Sequence, residues 1–193
     1  MKWLSTLLII ILFMSCKEKI PAIEELGNTQ YNLVDQNGQN AVFPDFVKNK
    51  IVVINYIFTN CPDICPLSTN NMRLIQERVK KENIKNVQFV SLSFDPEFDS
   101  PEVLKNFADI RNLDLSNWTF LTGVKSVTDT VIKKVGVLAV PSDSTIFKNG
   151  RKIYYYVHTD RIQLIDADGM IRKNYKGSKI NIDEIVADIK NLE

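Results

Sequence analysis

A continuous apolar run from Ile51 to Phe58 is the clearest hydrophobic pattern in the chain. It is rich in β-branched and aromatic residues and contains no Gly or Pro, which predicts a strand buried on both faces. Apolar residues then recur at near-helical spacing from Ile64 to Val79, with charged residues between them, which predicts an amphipathic helix. Cys61 and Cys65 therefore lie where a buried strand turns into a helix.

The same patterns divide the rest of the chain into strands and helices. Asn37-Gly38 predicts a hairpin from Tyr31 to Phe43, because this dipeptide favours the tight turn between antiparallel strands. The other predicted elements are strands from Val87 to Phe94, Trp118 to Leu121 and Ile153 to Val157, helices that begin near Ser100, Ser126 and Asn181, a loop from Pro141 to Gly150, and a second hairpin around Asp166-Ala167-Asp168-Gly169. Strands alternating with helices indicate an α/β sandwich around a mixed sheet.

The start of the chain has the pattern of a signal peptide. Lys2 precedes an apolar run of 12 residues, from Trp3 to Met14, which is well short of the ~20 residues needed to cross a bilayer. Ser15-Cys16 follows and resembles a bacterial lipoprotein signal with Cys16 as the lipidated first mature residue; an uncleaved anchor with an incidental cysteine is the alternative. We expect a signal peptide over residues 1–15, a polar tether over 16–30 and one domain over 31–193, anchored to a membrane of the cell envelope and facing the periplasm or exterior.

Charge gives little indication of a partner. The chain carries 24 basic and 23 acidic residues, for a formal net charge of +1. It contains no long basic run and no basic patch interleaved with aromatic residues, so we expect no nucleic-acid binding. The binding partners of this chain must therefore be inferred from its candidate site residues rather than from its net charge.

Two of the three cysteines remain once Cys16 is assigned to the leader. Cys61 and Cys65, four residues apart at a helix start, share a face with Cβ atoms about 5–6 Å apart. That spacing suits either a disulfide or one metal ion held between two sulfurs. The positive end of the helix dipole favours thiolate over thiol. A bridge closing so short a loop adds little stability, so we expect a chemical role for the pair.

His158 is the only histidine of the sequence and follows a predicted strand. Two thiolates and one imidazole form a donor set that suits copper, because sulfur favours Cu(I) and nitrogen helps to tolerate Cu(II). Zinc is less favoured, since structural zinc usually takes four protein ligands. A histidine that only forms hydrogen bonds at a strand end is the alternative. The pattern alone does not bring His158 to the cysteines.

The segment Phe58-Thr59-Asn60-Cys61-Pro62-Asp63-Ile64-Cys65-Pro66 resembles the signature of the SCO/SenC family, copper-binding assembly factors for cytochrome c oxidase. The resemblance covers residues 31 to 193 and continues through the segments Ser93 to Glu102, Trp118 to Gly123, His158-Thr159 and Leu164 to Gly169. It implies a thioredoxin-like fold, a central mixed sheet flanked by helices, in which the histidine faces the cysteine pair. It further implies a copper site made by Cys61, Cys65 and His158.

The resemblance also implies a function and partners. We expect a copper metallochaperone that assists assembly of the copper centre of cytochrome c oxidase. Its partners would be the copper-binding subunit of the oxidase and an envelope copper donor or thiol reductant. The alternative is a thiol-disulfide oxidoreductase, with Cys61 as the more exposed attacking thiolate and Cys65 resolving the mixed disulfide. Dedicated oxidoreductases usually space the pair by two residues and need no distant histidine.

Several residues near these motifs are given structural roles. Val157 stands where the family often has Asp before the histidine, which removes a carboxylate expected beside the imidazole. Asp160 is predicted to be an exposed loop residue rather than its substitute. The remaining assignments are Asp63 to the helix start, Asp95 and Asp99 to turn and cap chemistry, Pro141 to a loop, and Tyr154 to Tyr156 to strand packing.

Overall fold

The computed structural model describes residues 20–146 and 152–193. Its strands are β1 (Glu24–Glu25), β2 (Tyr31–Asp35), β3 (Asn40–Phe43), β4 (Ile51–Ile57), β5 (Val87–Ser93), β6 (Trp118–Gly123), β7 (Ala139–Ile146), β8 (Lys152–His158), β9 (Ile162–Ile165) and β10 (Met170–Tyr175). Its α-helices are α1 (Ile64–Lys81), α2 (Pro101–Ile110), α3 (Lys125–Lys134) and α4 (Ile182–Asn191). The predicted signal peptide and Cys16 lie outside the described residues. Within those residues, none of the helices has the length and apolar character needed to span a membrane.

One mixed sheet of eight strands forms the centre of the domain, in the order β1-β10-β9-β4-β5-β6-β2-β3. Strands β4, β5 and β6 are parallel, and the other neighbouring strands are antiparallel. Helices flank the sheet, and α1 packs against α4. The predicted mixed α/β, thioredoxin-like sandwich is confirmed, and the N-terminal hairpin of β2 and β3 forms as expected.

Local sequence explains why the central elements form where they do. All seven residues of β4 are buried, as expected for a continuous apolar run in the middle of a sheet. Helix α2 begins as predicted, with Pro101 at its first position and the Ser100 side chain accepting a hydrogen bond from the backbone of Val103. Helix α3 differs, because it begins at Lys125 with Val124 at the cap position and no side-chain cap.

The segment from Ile20 packs against the domain, although the sequence assigns residues 16–30 to a tether. Arg172, which forms a buried ion pair of 2.6 Å with Asp166, also donates a hydrogen bond of 2.8 Å to the carbonyl of Ile20. Strand β1 then pairs with β10, and Leu26 is buried. The polar composition of this segment hides its docking, because main-chain hydrogen bonds and two buried apolar side chains, those of Ile20 and Leu26, hold it to the domain.

A separate two-stranded sheet, formed by β7 and β8, lies beside the central sheet. Ala139 pairs with His158 and Val140 with Val157, so the antiparallel hairpin ends at the only histidine. The prediction of a loop from Pro141 to Gly150 is wrong for residues 141–146, and residues 147–151 lie outside the described part of the chain. These residues of β7 are exposed and polar-rich, and they become a strand through pairing with β8 rather than through their own burial.

Candidate metal centre

The cysteines lie at the edge of the sheet where two parallel strands end. Phe58 directly follows β4 and Phe94 directly follows β5, and both rings are buried. Because the carboxyl ends of parallel neighbours meet at one edge, the loop that carries Cys61 begins next to the end of β5. Cys65 is the second residue of α1. The sequence pattern located this junction correctly.

The β7–β8 hairpin brings the histidine to the same place. His158 is the last residue of β8, and its ring packs against Phe94 and Phe58, with ring centroids 5.1 Å and 6.1 Å apart. The two phenylalanines therefore form an apolar support between the strand ends and the imidazole. The apolar rings lower the local dielectric around the imidazole, which strengthens the electrostatic interactions that His158 makes.

Three candidate ligands converge at this point. The sulfurs of Cys61 and Cys65 and a ring nitrogen of His158 all lie within 4.8 Å of one another. Metal–sulfur and metal–nitrogen bonds of about 2.0–2.3 Å allow two donors of one ion to lie up to about 4.6 Å apart. Small side-chain rotations are therefore enough to place all three donors on a single ion. The structure therefore brings together Cys61, Cys65 and His158, the three ligands expected from the sequence.

The two thiols are chemically unequal. Cys65 is 1% exposed, whereas Cys61 is partly exposed, and both are free cysteines. The Cys65 thiol donates a hydrogen bond to the Cys61 sulfur, which is the main cause of a lowered Cys61 pKa. Further hydrogen bonds come from His158 and from the backbone amides of Cys65 and Asp63. Together these hydrogen bonds outweigh the effect of burial and lower the pKa of Cys61 to about 3. The same hydrogen bond, together with burial, raises the pKa of Cys65. Cys61 is thus the thiolate and Cys65 its proton donor in the metal-free site.

A backbone carbonyl takes the place of the carboxylate that the family often has beside the imidazole. The Nδ1 atom of His158 lies 3.3 Å from the carbonyl oxygen of Thr159. With the proton on Nδ1, this contact is a hydrogen bond and leaves the lone pair on Nε2 for a metal. Burial lowers the pKa of His158, but the hydrogen bonds to Cys61 and Thr159 raise it by more. Val157 is 58% exposed on the opposite face of β8.

Asp160 is neither a simple exposed loop residue nor the carboxylate beside the imidazole, the two roles that the sequence suggested for it. Its carboxylate accepts a hydrogen bond of 2.9 Å from the backbone N–H of Ser178 and another from the Ser178 hydroxyl. Gly177 lies so close that an added Cβ would come within 2.7 Å of an Asp160 oxygen. Asp160 therefore fixes the chain after His158 against the turn that precedes α4.

Two buried carboxylates beside the site, assigned from the sequence to turn and cap chemistry, also bind residues of the candidate metal centre. Asp95 is 4% exposed and accepts hydrogen bonds from the hydroxyls of Tyr154 and Tyr156, whereas Asp99 is 0% exposed and accepts from Thr59. Burial raises the pKa of Asp99 to about 6 against these hydrogen bonds. A usable signal was present, because both aspartates follow a strand that ends at the same sheet edge as the cysteines.

The centre is open to solvent on one side. A cleft of about 240 Å³ lies over the thiolate and the imidazole, lined by Phe58, Cys61, Pro62, Asp63, Ile64, Tyr155, Tyr156 and His158. Asp63, expected to stabilise the helix start, lies at the cap position of α1 and makes no side-chain cap hydrogen bond. A bound ion would thus be reachable by an external ligand from this cleft.

A comparison with protein-family models decides the assignment. The model described as SCO1/SenC matches residues 22–193. The chain belongs to the SCO1/SenC family. The resemblance stated from the sequence is thereby confirmed, and the SCO1/SenC match begins close to the first residues that the structure describes.

Solved structures of SCO1/SenC proteins resemble the whole domain. A lipoprotein of this family from Bacillus anthracis str. Ames is 34% identical, with a TM-score of 0.71 over 85% of this chain and 93% of the other. BsSco, described as a member of the Sco family of cytochrome c oxidase assembly proteins, is 29% identical, with a TM-score of 0.72 over 91% and 98%. ScoI of Bradyrhizobium japonicum, solved with copper bound, is 27% identical, with a TM-score of 0.66 over 86% and 98%.

The unequal thiols of this SCO1/SenC protein predict selective alkylation. We expect iodoacetamide to label Cys61 in the reduced protein and to spare Cys65, which is buried and protonated. Because the lowered pKa keeps Cys61 ionised, its labelling rate should be almost constant between about pH 5 and pH 8, whereas that of an ordinary cysteine rises about tenfold per pH unit there. Peptide mass mapping measures both rates.

The Cys65→Ala variant provides the control for this labelling. It removes the proton donor to Cys61, so the pKa of Cys61 should rise and its labelling should regain a dependence on pH. Equal labelling of the two cysteines in the unsubstituted protein would contradict the assignment of thiolate and thiol.

Proposed function

We propose that this SCO1/SenC protein is a copper metallochaperone that binds one copper ion through Cys61, Cys65 and His158. The observation that carries the proposal is the convergence of two sulfurs and one imidazole nitrogen within 4.8 Å. Thiolates suit Cu(I), and the added nitrogen helps to tolerate Cu(II). Copper-bound structures of relatives from Bradyrhizobium japonicum and yeast support copper as the cargo.

The open cleft suggests how the cargo would be released. Three protein ligands would leave one side of the ion facing the cleft over Cys61 and His158. A thiolate of a partner protein could add from that side while a ligand of this site detaches, so that copper moves by ligand exchange and is never free in water. The buried Cys65 is unable to leave its place on α1, so we expect Cys61 or His158 to detach first.

Relatives support a proposal for the partner and for the location. BsSco belongs to a family of cytochrome c oxidase assembly proteins, and we propose the same role here, with the copper-binding subunit of the oxidase as acceptor and an envelope protein as copper donor or thiol reductant. The Bacillus anthracis relative is a lipoprotein. We therefore propose that the domain is held at the cell envelope through a lipid on Cys16.

A second candidate function is supported by the unequal thiols. The partly exposed Cys61 thiolate could attack a disulfide of the oxidase subunit, forming a mixed disulfide and releasing one partner thiolate. Cys65, after giving its proton to that thiolate, would then attack the sulfur of Cys61. The partner leaves with one thiol and one thiolate, which takes its proton from water, and this protein keeps the Cys61–Cys65 disulfide. Reduction of the oxidase subunit and delivery of copper could thus be successive acts of one site.

Copper titration of the reduced and the oxidised protein tests the proposal. We expect one copper ion per chain to bind to the reduced protein, with an absorption band in the thiolate charge-transfer region. No binding is expected once Cys61 and Cys65 are joined, because a cysteine ligates as the thiolate and the disulfide would leave His158 as the one remaining ligand of the proposed set. Equal loading of both forms, or loading without a charge-transfer band, would count against the site.

A further inference from the structure

The turn that joins β5 to α2 contacts both halves of the candidate metal centre. This Asp95–Asp99 turn is held tightly, because the Asp95 carbonyl accepts hydrogen bonds from the backbone N–H groups of Phe98 and Asp99, at 3.1 Å and 2.9 Å. Both aspartates are at least 95% buried. Buried carboxylates need hydrogen-bond partners, so the groups that satisfy them are held in fixed positions.

The first carboxylate is bonded to the hairpin that carries the histidine. Asp95 accepts from the hydroxyl of Tyr154 and, at 3.1 Å, from that of Tyr156. Alternation along β8 places these two tyrosines on the same face as His158. In the part of the chain that the structure describes, neither strand of the β7–β8 sheet pairs with the central sheet, so side-chain contacts such as these help to fix which face of β8 points inward.

The second carboxylate is bonded to the loop that carries the cysteines. Asp99 accepts from the backbone N–H of Thr59, with both oxygens at 3.1–3.2 Å, and from the Thr59 hydroxyl. The Ser93 hydroxyl at the end of β5 donates to it as well. Thr59 lies two residues before Cys61, so this contact fixes the path of the chain into the first ligand.

We propose that Asp95 and Asp99 are positioning residues of the metal centre, Asp95 for its histidine half and Asp99 for its cysteine half. Neither residue touches the ion in this proposal. Because both carboxylates belong to one rigid turn, that turn sets the separation between the imidazole and the sulfurs. The proposal rests on the proposed copper function, but its first test needs no metal.

The histidine half is tested with the Tyr154→Phe/Tyr156→Phe double variant. It removes both hydroxyls that bind Asp95 and keeps the aromatic rings. The matched control is Tyr175→Phe, which also removes a tyrosine hydroxyl that donates to a carboxylate, that of Asp188 at 2.7 Å, on β10, two strands away from β4 in the central sheet. Since the sequence has a single histidine, its ring protons give one identifiable set of NMR signals, shifted by the adjacent Phe58 and Phe94 rings.

We expect the histidine signals of the metal-free double variant to move toward positions of a solvent-exposed imidazole, while those of the control stay unchanged. Its Cu(II) affinity should fall about 10- to 100-fold, as is usual when the support of a metal ligand is lost, with weaker nitrogen coupling in the EPR spectrum. Its Cu(I) affinity should be unchanged, because the cysteines are untouched. If the double variant fails to fold, either single variant replaces it in the same measurements.

The cysteine half is tested with Asp99→Asn. The asparagine side chain has one oxygen that accepts hydrogen bonds, and its NH₂ group can only donate. It therefore cannot accept all the hydrogen bonds from Thr59 and Ser93, and the loop before Cys61 should be held less firmly. We expect affinities for Cu(I) and Cu(II) to fall together, by about tenfold or more, with unchanged histidine NMR signals. The matched control is Asp35→Asn, which alters a carboxylate that accepts backbone N–H groups at a turn remote from the centre.

The outcomes separate this proposal from the copper function. Histidine signals and copper affinities in the double variant equal to those of Tyr175→Phe would overturn the role of Asp95. Copper affinities of Asp99→Asn equal to those of Asp35→Asn would overturn the role of Asp99. Failure of the unsubstituted protein to bind copper would instead refute the proposed function, and the shift of the metal-free histidine signals would still report on the hairpin.

Discussion

Replacement of Cys61 and Cys65 by alanine is expected to abolish copper binding. Both sulfurs would be lost, and His158 alone would remain as a ligand at the centre. Structural zinc sites in zinc-finger peptides reach apparent binding free energies of about 10–16 kcal/mol, and we expect the loss of both sulfurs to remove at least half of a binding energy of that size. At 1.4 kcal/mol per tenfold change, the affinity should fall by more than about 10⁴-fold. Copper-to-protein ratios after equilibrium dialysis measure this loss directly.

The third cysteine of the sequence supplies a matched control for this experiment. Cys16→Ala also replaces a cysteine, but it should leave the copper stoichiometry of the detergent-solubilised protein at its original value. Circular dichroism of the double variant checks that the fold is retained, since Cys65 belongs to the buried core. One copper ion still bound to a folded double variant would show that the ion sits elsewhere.

Replacement of His158 by alanine is expected to separate copper binding from thiol chemistry. Cu(II) should bind more than about a hundredfold less tightly, a greater loss than that caused by removing only the support of a ligand. Cu(I) should be affected less, because two sulfurs suit it well. Reduction of a disulfide should largely persist, since the hydrogen bond from Cys65 is the main cause of the lowered pKa of Cys61.

Val157→Ala is the control for the histidine substitution. It shortens the neighbouring side chain on the exposed face of β8 and should change neither copper binding nor thiol reactivity. Competition with chelators of known affinity measures both oxidation states of copper, and a disulfide substrate measures the thiol reaction. Equal loss of Cu(II) affinity in both variants, or full retention in both, would remove His158 from the ligand set.

The ligands differ in how far the sequence could place them. Local patterns located Cys61 and Cys65: an apolar run without polar alternation predicts a fully buried strand, and apolar residues at helical spacing follow it. The structure places both cysteines at the junction of this strand and this helix. His158 lies more than 90 residues further along, and no local pattern links such distant positions. Its meeting with the cysteines was implied only by the family resemblance, which carries information about the fold.

The supporting residues were harder to foresee. Asp95-Pro96 and Ser100-Pro101 are typical of a turn and a helix start, so the sequence indicated turn and cap chemistry for Asp95 and Asp99 but not their long-range partners. Strand β7 was missed because Pro141 and the polar residues after it have low strand propensity, and pairing with β8 outweighs that propensity. In both cases the deciding contacts join residues far apart in the sequence.

The buried ion pair between Arg172 and Asp166 limits the distance between the domain and a membrane to which Cys16 would be anchored. Arg172 fixes the carbonyl of Ile20, near the amino-terminal end of β4, whereas the copper ligands lie beyond its opposite end, about 20 Å away. If Cys16 carries the proposed lipid, only three residues separate that anchor from Ile20, and the four Cα–Cα steps span at most about 14 Å. The ion would then face away from the lipid surface, presented at a height suited to a partner that projects from the same membrane.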